Sequence, residues 1–286
     1  MSAKPLAVRS LPPCAAVFAA AALAWGQAAP ATVTAPLPEQ AQAYVGVALA
    51  NELQAVENPN HPMRYQLRKS SPRLTTTKEI VETKDGEVAL LLAVNDKPLS
   101  STDAQKEQAR LDGLLSDSGK QRHRKQSEEA DAGRLIKVLR ALPSAFIYQY
   151  SGAGQDATGK QEKFTFKPNP DFTPPDLETQ VLTAMNGAIW IDPASDRVTR
   201  LEGHLLRDVD FGWGILGRLN RGGWIVIEDA NVCGDQWRIV HFQMQLSGRV
   251  LFRTRNFDTV EDESHFEPLP VGMGYRQAIQ MLRTDP

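Results

Sequence analysis

The feature that most constrains the fold is a series of short alternating segments joined by tight turn signals. In "AIWIDPASDRVTRLEGHLL", the apolar run Ala188–Ile191 is joined to Val198–Leu205 through the turn formers of "DPASD", which predicts a hairpin. Three further segments of this kind follow, "GGWIVIEDANV", "QWRIVHFQMQLS" and "RVLFRTRNFDTV". Connections this short join neighbouring antiparallel strands. The sequence therefore predicts an antiparallel meander, and Phe242, with its alternate neighbours, should lie on the core face.

Earlier segments extend the predicted sheet. Residues 63–69 alternate polar and apolar, and "LTTTKEIVETKDGEVALLLAVN" predicts two strands around Asp85-Gly86. "AFIYQYSG" and "QEKFTFKPNP" predict two more strands, followed by a short helix in "PPDLETQVLTAMNG".

Three longer segments have the apolar spacing of helices, at 38–56, 101–115 and 120–142. Ser100 begins the second of them with a capping box, and we expect Pro143 to end the third. The predicted fold class is mainly β (α+β), an antiparallel and strongly curved open barrel with helices packed on one side.

The amino-terminal segment predicts export. Two basic residues precede the apolar run "CAAVFAAAALAW", which is followed by small residues in "GQAAPA". This run is well short of the ~20 residues of a membrane-spanning helix, so a signal peptide cleaved after Ala28 or Ala31 is favoured over an uncleaved anchor. We expect residues 1–31 to be removed and residues 32–286 to form a single domain, with a helical insert at about 100–142. The predicted location is periplasmic or secreted, with no transmembrane span in the mature chain.

The cysteines fit this interpretation. Cys14 follows "LPP", which does not match the pattern for lipid attachment. Loss of the signal peptide leaves Cys233 alone, so no intramolecular disulfide can form. We expect a structural or incidental role for this thiol.

Charge argues against a polyanionic partner. The formal net charge is -2 in a chain that is 42% hydrophobic and 23% charged, a balance that does not favour nucleic acid. The block "KQRHRKQSEEAD" places opposite charges four residues apart, typical of a solvated helical face rather than a nucleic-acid or membrane site.

Motif analysis predicts no cofactor, no metal and no catalytic residue. HExxH, GxSxG and paired CxxC are absent from the sequence. "GQDATGKQ" starts like a phosphate-binding loop but lies between two strands, and "GWGILG" matches GxGxxG without room for the required helix. Both are better explained as turns.

Four residues support a possible hydrolytic site. His204 and His241 lie on strands that we expect to be neighbours, and Asp208 and Asp210 alternate on one strand. Solvated edge charges or turn caps are the competing explanation for the aspartates.

Aromatic residues offer another candidate site, because tryptophans make wide apolar walls with a single donor. The predicted ligand-binding residues are Trp190, Phe211, Trp213, Trp224, Trp237 and Phe242. Ordinary core packing is the alternative. Five glycines in "DFGWGILGRLNRGG" predict a sharp bend, which makes this segment a candidate flap carrying Trp213 over the concave face.

Several of the segments quoted above resemble a known superfamily. "AMNGAIWIDPASDRVTRLEGHL", later strands and "FEPLP" resemble the outer-membrane lipoprotein-sorting superfamily, the carriers and their regulatory relatives. With "VNDKPLS", "LRALPSAFIYQY" and "FKPNPDFTPP", they also resemble a group of secreted bacterial proteins with no assigned activity. The resemblance implies an incomplete antiparallel barrel with helices on its concave side and a cavity that accepts acyl chains.

Two non-enzymatic functions follow from these expectations. The first is a carrier or binder of a lipid or other apolar ligand in the bacterial envelope. The alternative is an envelope protein-interaction or regulatory module without a ligand. A hydrolase of unknown substrate is the third possibility and rests only on the two histidines and two aspartates.

Overall fold

The computed structural model describes residues 38–58, 61–156, 159–211, 217–250 and 253–284. The expected signal peptide and Trp213 lie outside these ranges. The helices are α1 Pro38–Glu57, α2 Ser101–Ser116, α3 Ser118–Ala145, α4 Leu177–Gln180 and α5 Tyr275–Thr284. The strands are β1 Met63–Ser70, β2 Thr75–Val81, β3 Val88–Val94, β4 Lys97–Pro98, β5 Phe146–Asp156, β6 Gly159–Pro168, β7 Met185–Asp192, β8 Arg197–Leu205, β9 Val209–Phe211, β10 Gly217–Leu219, β11 Trp224–Cys233, β12 Gln236–Val250 and β13 Arg253–Pro268.

The described strands form one antiparallel sheet with the order β4-β3-β2-β1-β13-β12-β11-β8-β7-β6-β5. The short strands β9 and β10 pair with each other beside the end of β12. The two edge strands do not pair, so the sheet stays open. The predicted fold class, an open, curved antiparallel barrel with helices, is confirmed.

The connectivity differs from a simple meander, because the chain enters the sheet at its centre. Strand β1 pairs with β13, the last strand of the chain. The chain runs outward from β1 to the edge strand β4, crosses through α2 and α3, and re-enters at the opposite edge in β5. The predicted helical insert is therefore the link between the two edges. Helix α3 has 28 residues, a length of about 42 Å at 1.5 Å per residue.

The three long helices match their predicted positions, apart from the end of α3. It continues to Ala145, two residues beyond Pro143, with the proline inside its last turn. The expectation that Pro143 ends the helix was wrong, because a proline this close to the end costs only one bond of the helical ladder. The side-chain amide of Gln42 on α1 donates to the Pro143 carbonyl.

Helix α3 begins at the start of β3. The buried amide of Gln121 donates to the carbonyls of Asp85 and Glu87, at 3.0 and 3.2 Å. The carboxylate of Glu128 accepts from the Glu87 amide at 3.0 Å. These bonds satisfy backbone groups in the connection between β2 and β3, the hairpin expected around Asp85-Gly86.

Helix α3 ends in the largest hydrophobic cluster, which it shares with α1 and β5–β8. The buried members of this cluster are Ala41, Val45, Ala48, Leu49, Ala141, Leu142, Ala145, Phe146, Tyr148, Phe164, Phe166, Leu182, Ile189, Ile191 and Val198. A second cluster packs α2 and α5 against β2 and β3. Helix α2 also covers the edge of β3, where Glu107 accepts from the Leu91 amide and Arg110 donates to the Ala89 carbonyl.

The contact at Gln121 gives a stability prediction. Gln121→Ala removes the donor shared by two backbone carbonyls, so the free energy of unfolding should fall by about 1–3 kcal/mol. Urea unfolding measures this loss. Gln126→Ala, at an exposed glutamine of the same helix, is the matched control and should change stability by less than about 0.5 kcal/mol. Equal effects of the two substitutions would contradict the anchoring role of Gln121.

Candidate ligand-binding face

The face of the sheet that carries α1 has a row of apolar side chains crossing five strands. Directly opposed residues in antiparallel strands share a face. The row, in strand order from β6 to β12, is Phe164, Ile189, Leu201, Ile227 and Phe242. In the next row along the strands, Ile225 of β11 is opposed to Met244 of β12. Because α1 packs on this face, we call it the concave face and the opposite side of the sheet the convex face.

Helices cover only part of this face. Phe164 and Ile189 are buried against α1 and the end of α3, and Leu201 packs at the border of that cluster. Ile225, Ile227, Phe242 and Met244 are only half-buried. Among the described residues, these four side chains belong to none of the buried hydrophobic clusters. We call them the concave patch. Phe242 thus lies on the same face as the core residues Phe164 and Ile189, as predicted, but it is only half-buried there.

The concave patch continues towards the end of β12. Leu246, two residues after Met244 on the same strand, is opposed to Phe257 of β13. Phe257 is 42% exposed. An apolar track therefore runs from the middle of the sheet to the ends of its central strands.

Carboxylates border the opposite end of the concave patch. Glu261 is opposed to Phe242, and Glu263 is opposed to Leu67 on β1. Burial, reinforced by the charges of Glu87, Glu82 and Glu261, raises the pKa of Glu263 to about 8. This part of the concave face accordingly disfavours additional negative charge.

A second charged group lies where α1 meets the sheet. Glu52 of α1 receives two hydrogen bonds from Arg197 of β8, both at 2.8 Å. The Arg197 guanidinium lies 5.5 Å from the centre of the Trp237 ring. Burial and the charge of Glu52 raise the pKa of Asp229 to about 7, although Arg197 acts in the opposite direction.

The convex face has a different chemistry. A cross-strand row of directly opposed residues contains Lys163, Trp190, Arg200, Glu228, His241, Asp262 and Arg68. Arg200 forms an ion pair with Glu228. The carboxylate of Asp262 lies between two partners, with His241 Nδ1 at 2.7 Å from its Oδ1 atom and Arg68 Nη1 at 3.8 Å from its Oδ2 atom. We call this row the charge ladder. It makes this part of the convex face polar, with charges of both signs in contact.

The structure does not bring the predicted aromatic residues into one cavity. Trp190 lies in the charge ladder, and the Lys163 ammonium is 4.6 Å from the centre of its ring. Trp224 shares that convex face and donates from its indole nitrogen to the side chain of Gln245. Phe211 packs on the cluster of Leu205 and Val209. Trp237 lies beside Arg197, and Trp213 is outside the described residues. Of the five described aromatics, Phe242 belongs to the concave patch.

Sequence analysis missed three residues of the concave patch, Ile225, Ile227 and Met244. A signal was present, because "GGWIVIED" places Ile225 and Ile227 on one face and Trp224 and Val226 on the other. Alternation alone cannot tell which of the two faces has helices packed on it.

The residues considered for hydrolysis are separated or paired. His204 and His241 are not on neighbouring strands, since β11 lies between β8 and β12. Asp210 receives two hydrogen bonds from Arg218 at 2.6 and 2.9 Å, and this contact holds the pKa of Asp210 below its usual value. Asp208 accepts from the Arg221 amide. Both aspartates thus have the structural roles of edge charges and turn caps.

Two further observations concern the described residues. No group of three or more His, Cys, Asp or Glu side chains is arranged there to hold a metal ion. None of the described helices is long and apolar enough to span a bilayer.

The fold and the concave face define the class as an open antiparallel sheet curved around helices. Comparison with solved structures finds a "putative outer membrane lipoprotein-sorting protein domain" from Vibrio parahaemolyticus, with 9% identity and a TM-score of 0.32 over 86% of this chain and 99% of that chain. MucB in complex with MucA(peri) matches with 11% identity and a TM-score of 0.22, over 78% of this chain and 98% of that chain. A lipoprotein-sorting protein domain is thus among the solved structures to which this chain is similar. Neither score is high enough to transfer a ligand or a partner.

No family model matches the chain, and no curated protein matches it.

The raised pKa of Asp229 predicts a pH-dependent stability. As pH rises from about 4 to about 7, the unfolded state loses this proton before the folded state does, so the free energy of unfolding falls. Asp229→Asn should remove this contribution. We expect the variant to lose less stability than the wild type between about pH 5 and about pH 8, measured by urea unfolding at both values.

Asp235→Asn, at an exposed aspartate of the neighbouring turn, is the control and should behave as the wild type does. A decline in Asp229→Asn as large as that of the wild type would show that Asp229 does not retain its proton in the folded state.

Proposed function

We propose that this chain is a non-enzymatic binding protein of the bacterial envelope that carries an apolar ligand on its concave face. The observation that carries this proposal is the concave patch of Ile225, Ile227, Phe242 and Met244, half-buried and without a packing partner in the described clusters. Contiguous apolar surface of this kind is typical of a ligand-binding groove.

Energetics support a ligand in this position. Full burial of one large aliphatic or aromatic side chain contributes about 1.5–3 kcal/mol. The four side chains of the concave patch are only half-buried, so an apolar ligand would add to their burial. Leu246 and Phe257 extend this surface to the strand ends, where a ligand can enter without unfolding the sheet.

Helix α3 is suited to such a role. Its two ends are fixed by Gln121 and by the cluster of Ala141 and Leu142, whereas residues in its middle are largely exposed. Leu135 there is 42% exposed. A helix held at both ends and loosely packed between them can cover a ligand on the concave face.

Location in the envelope rests on the predicted signal peptide. The basic and apolar amino-terminal segment has the order of an export signal, and we propose that the mature chain acts in the periplasm or outside the cell.

Binding of a neutral fluorescent probe tests the concave patch. The wild type should bind N-phenyl-1-naphthylamine with an increase in fluorescence, and Ile227→Asn should weaken binding about tenfold because one apolar contact is lost. Val226→Asn is the matched control, because Val226 is the neighbouring residue on β11, is also half-buried and faces the convex side. Its affinity should equal that of the wild type. No binding by the wild type, or equal losses in both variants, would contradict the proposal.

A second candidate, the envelope protein-interaction module, is favoured by one observation. Strand β5 is an edge of the sheet, and residues 151, 153, 154 and 155 on its second half are exposed. Such an edge can pair with a strand of another protein. Native mass spectrometry of protein purified from the envelope distinguishes the candidates, since co-purified lipid supports the carrier and its consistent absence with a bound protein supports the module.

A further inference from the structure

A groove of about 790 Å³ lies at the end of the sheet where the apolar track finishes. The turn between β1 and β2, the turn between β10 and β11, and the ends of β12 and β13 surround it. Three arginines line this groove, one from each of these regions: Arg73, Arg221 and Arg255. We call it the arginine groove.

The three guanidinium groups are available for an anion. Within the described residues, the side chains of Arg73, Arg221 and Arg255 form no ion pair, whereas the neighbouring Arg218 lies close to both Asp208 and Asp210. Asp258 is the one carboxylate among the described lining residues. Ser71, Ser247, Thr254 and Asn256 also line the groove and add neutral hydrogen-bonding groups. The arginine groove therefore has an excess of positive charge.

Apolar residues connect the arginine groove to the concave patch. Leu246 and Phe257 line the groove, and they are also the opposed pair that ends the apolar track beyond Met244. Ser247 and Asn256 are opposed on the other face of the sheet and also line the groove, so Leu246 and Phe257 are the residues past which a ligand chain would extend from the groove to the concave patch.

Charge at the other end of the concave face sets the direction of such a ligand. Glu261 and Glu263 lie beyond Phe242, away from the arginine groove. Glu261 is ion-paired with Lys69, and burial with the nearby carboxylates raises the pKa of Glu263, so this end disfavours an added anionic group, whereas the arginines attract one. Guanidinium groups bind carboxylates and phosphates through paired hydrogen bonds, which makes them suitable for this group of ligands.

We propose that the ligand is an anionic amphiphile whose phosphate or carboxylate headgroup binds Arg73, Arg221 and Arg255 while its chain lies on the concave patch. This inference rests on the proposed function, because it requires an apolar chain on that patch. It specifies the ligand class and its orientation.

The test compares cis-parinaric acid with its methyl ester, two fluorescent probes that share one chain and differ in the headgroup charge. The wild type should bind the acid about tenfold more tightly than the ester, the scale of one charge-assisted contact. In the triple variant Arg73→Gln, Arg221→Gln, Arg255→Gln, the two affinities should become equal while the affinity for the ester stays unchanged.

A control variant removes the same number of charges elsewhere. Lys106→Gln, Arg276→Gln and Arg283→Gln change three exposed basic residues on α2 and α5, and the preference for the acid should persist. Inorganic phosphate, titrated by calorimetry, should bind far more weakly than the acid because it has no chain. Phosphate binding as tight as that of the acid would overturn the proposal in favour of a free-anion site.

The remaining outcomes separate the two proposals. Equal binding of acid and ester by the wild type, or a preference for the acid that survives in the arginine groove variant, overturns the headgroup site and leaves the proposed function standing. Failure of both probes to bind the wild type, with N-phenyl-1-naphthylamine also unbound, overturns both.

Discussion

The span of α3 from one edge of the sheet to the other is the constraint on which the rest of the structure depends. The chain leaves the sheet at β4 and must return at β5, on the far side of all the other strands. A helix of 28 residues bridges this distance. Because Gln121 fixes its beginning to the start of β3 and the cluster around Leu142 fixes its end beside β5, the two edges are linked without pairing. The sheet can therefore be curved and yet remain open.

This arrangement divides the hydrophobic core. One cluster forms where α1 and the end of α3 pack on β5–β8, and another where α2 and α5 pack on β2 and β3. The central strands β11 and β12 lie between them. Their convex side carries the charge ladder, in which Arg200, Glu228 and Asp262 take part. On their concave side, the four residues of the concave patch belong to no described cluster. The proposed binding face is thus a consequence of the topology as much as of the residues on it.

Local sequence patterns predicted the elements well, because the information for them is local. The hairpin between β7 and β8 follows from the turn formers after Ile191, and α2 follows from the capping box at Ser100, whose hydroxyl accepts from the Asp103 amide. The pairing of β1 with β13 could not be predicted in this way, because it joins residues about 200 positions apart through backbone bonds that carry no sequence signature. For the same reason, the sequence did not reveal that the predicted helical insert at 100–142 joins the two edges of the sheet.

The candidate site was harder to predict than the fold. Aromatic content pointed to six residues, yet the face on which each one lies depends on strand pairing: Trp190 and Trp224 are on the convex side and Phe242 is on the concave side. A change of register between β11 and β12, next to Val240, also interrupts the alternation expected for β12. The arginine groove combines turns that are far apart in sequence, so composition could not reveal it.

The central claim is that an apolar ligand lies on the concave patch, and methyl NMR measures this most directly. In protein labelled at the isoleucine, methionine and valine methyl groups, titration with N-phenyl-1-naphthylamine should shift the signals of Ile225, Ile227 and Met244 together, because the aromatic probe changes the field around every methyl that it touches. The signals of Val226 and Val260, which face the convex side, should stay in place. Shifts confined to these valines, or to buried Ile189 and Ile279 in the helix-covered clusters, would contradict the account.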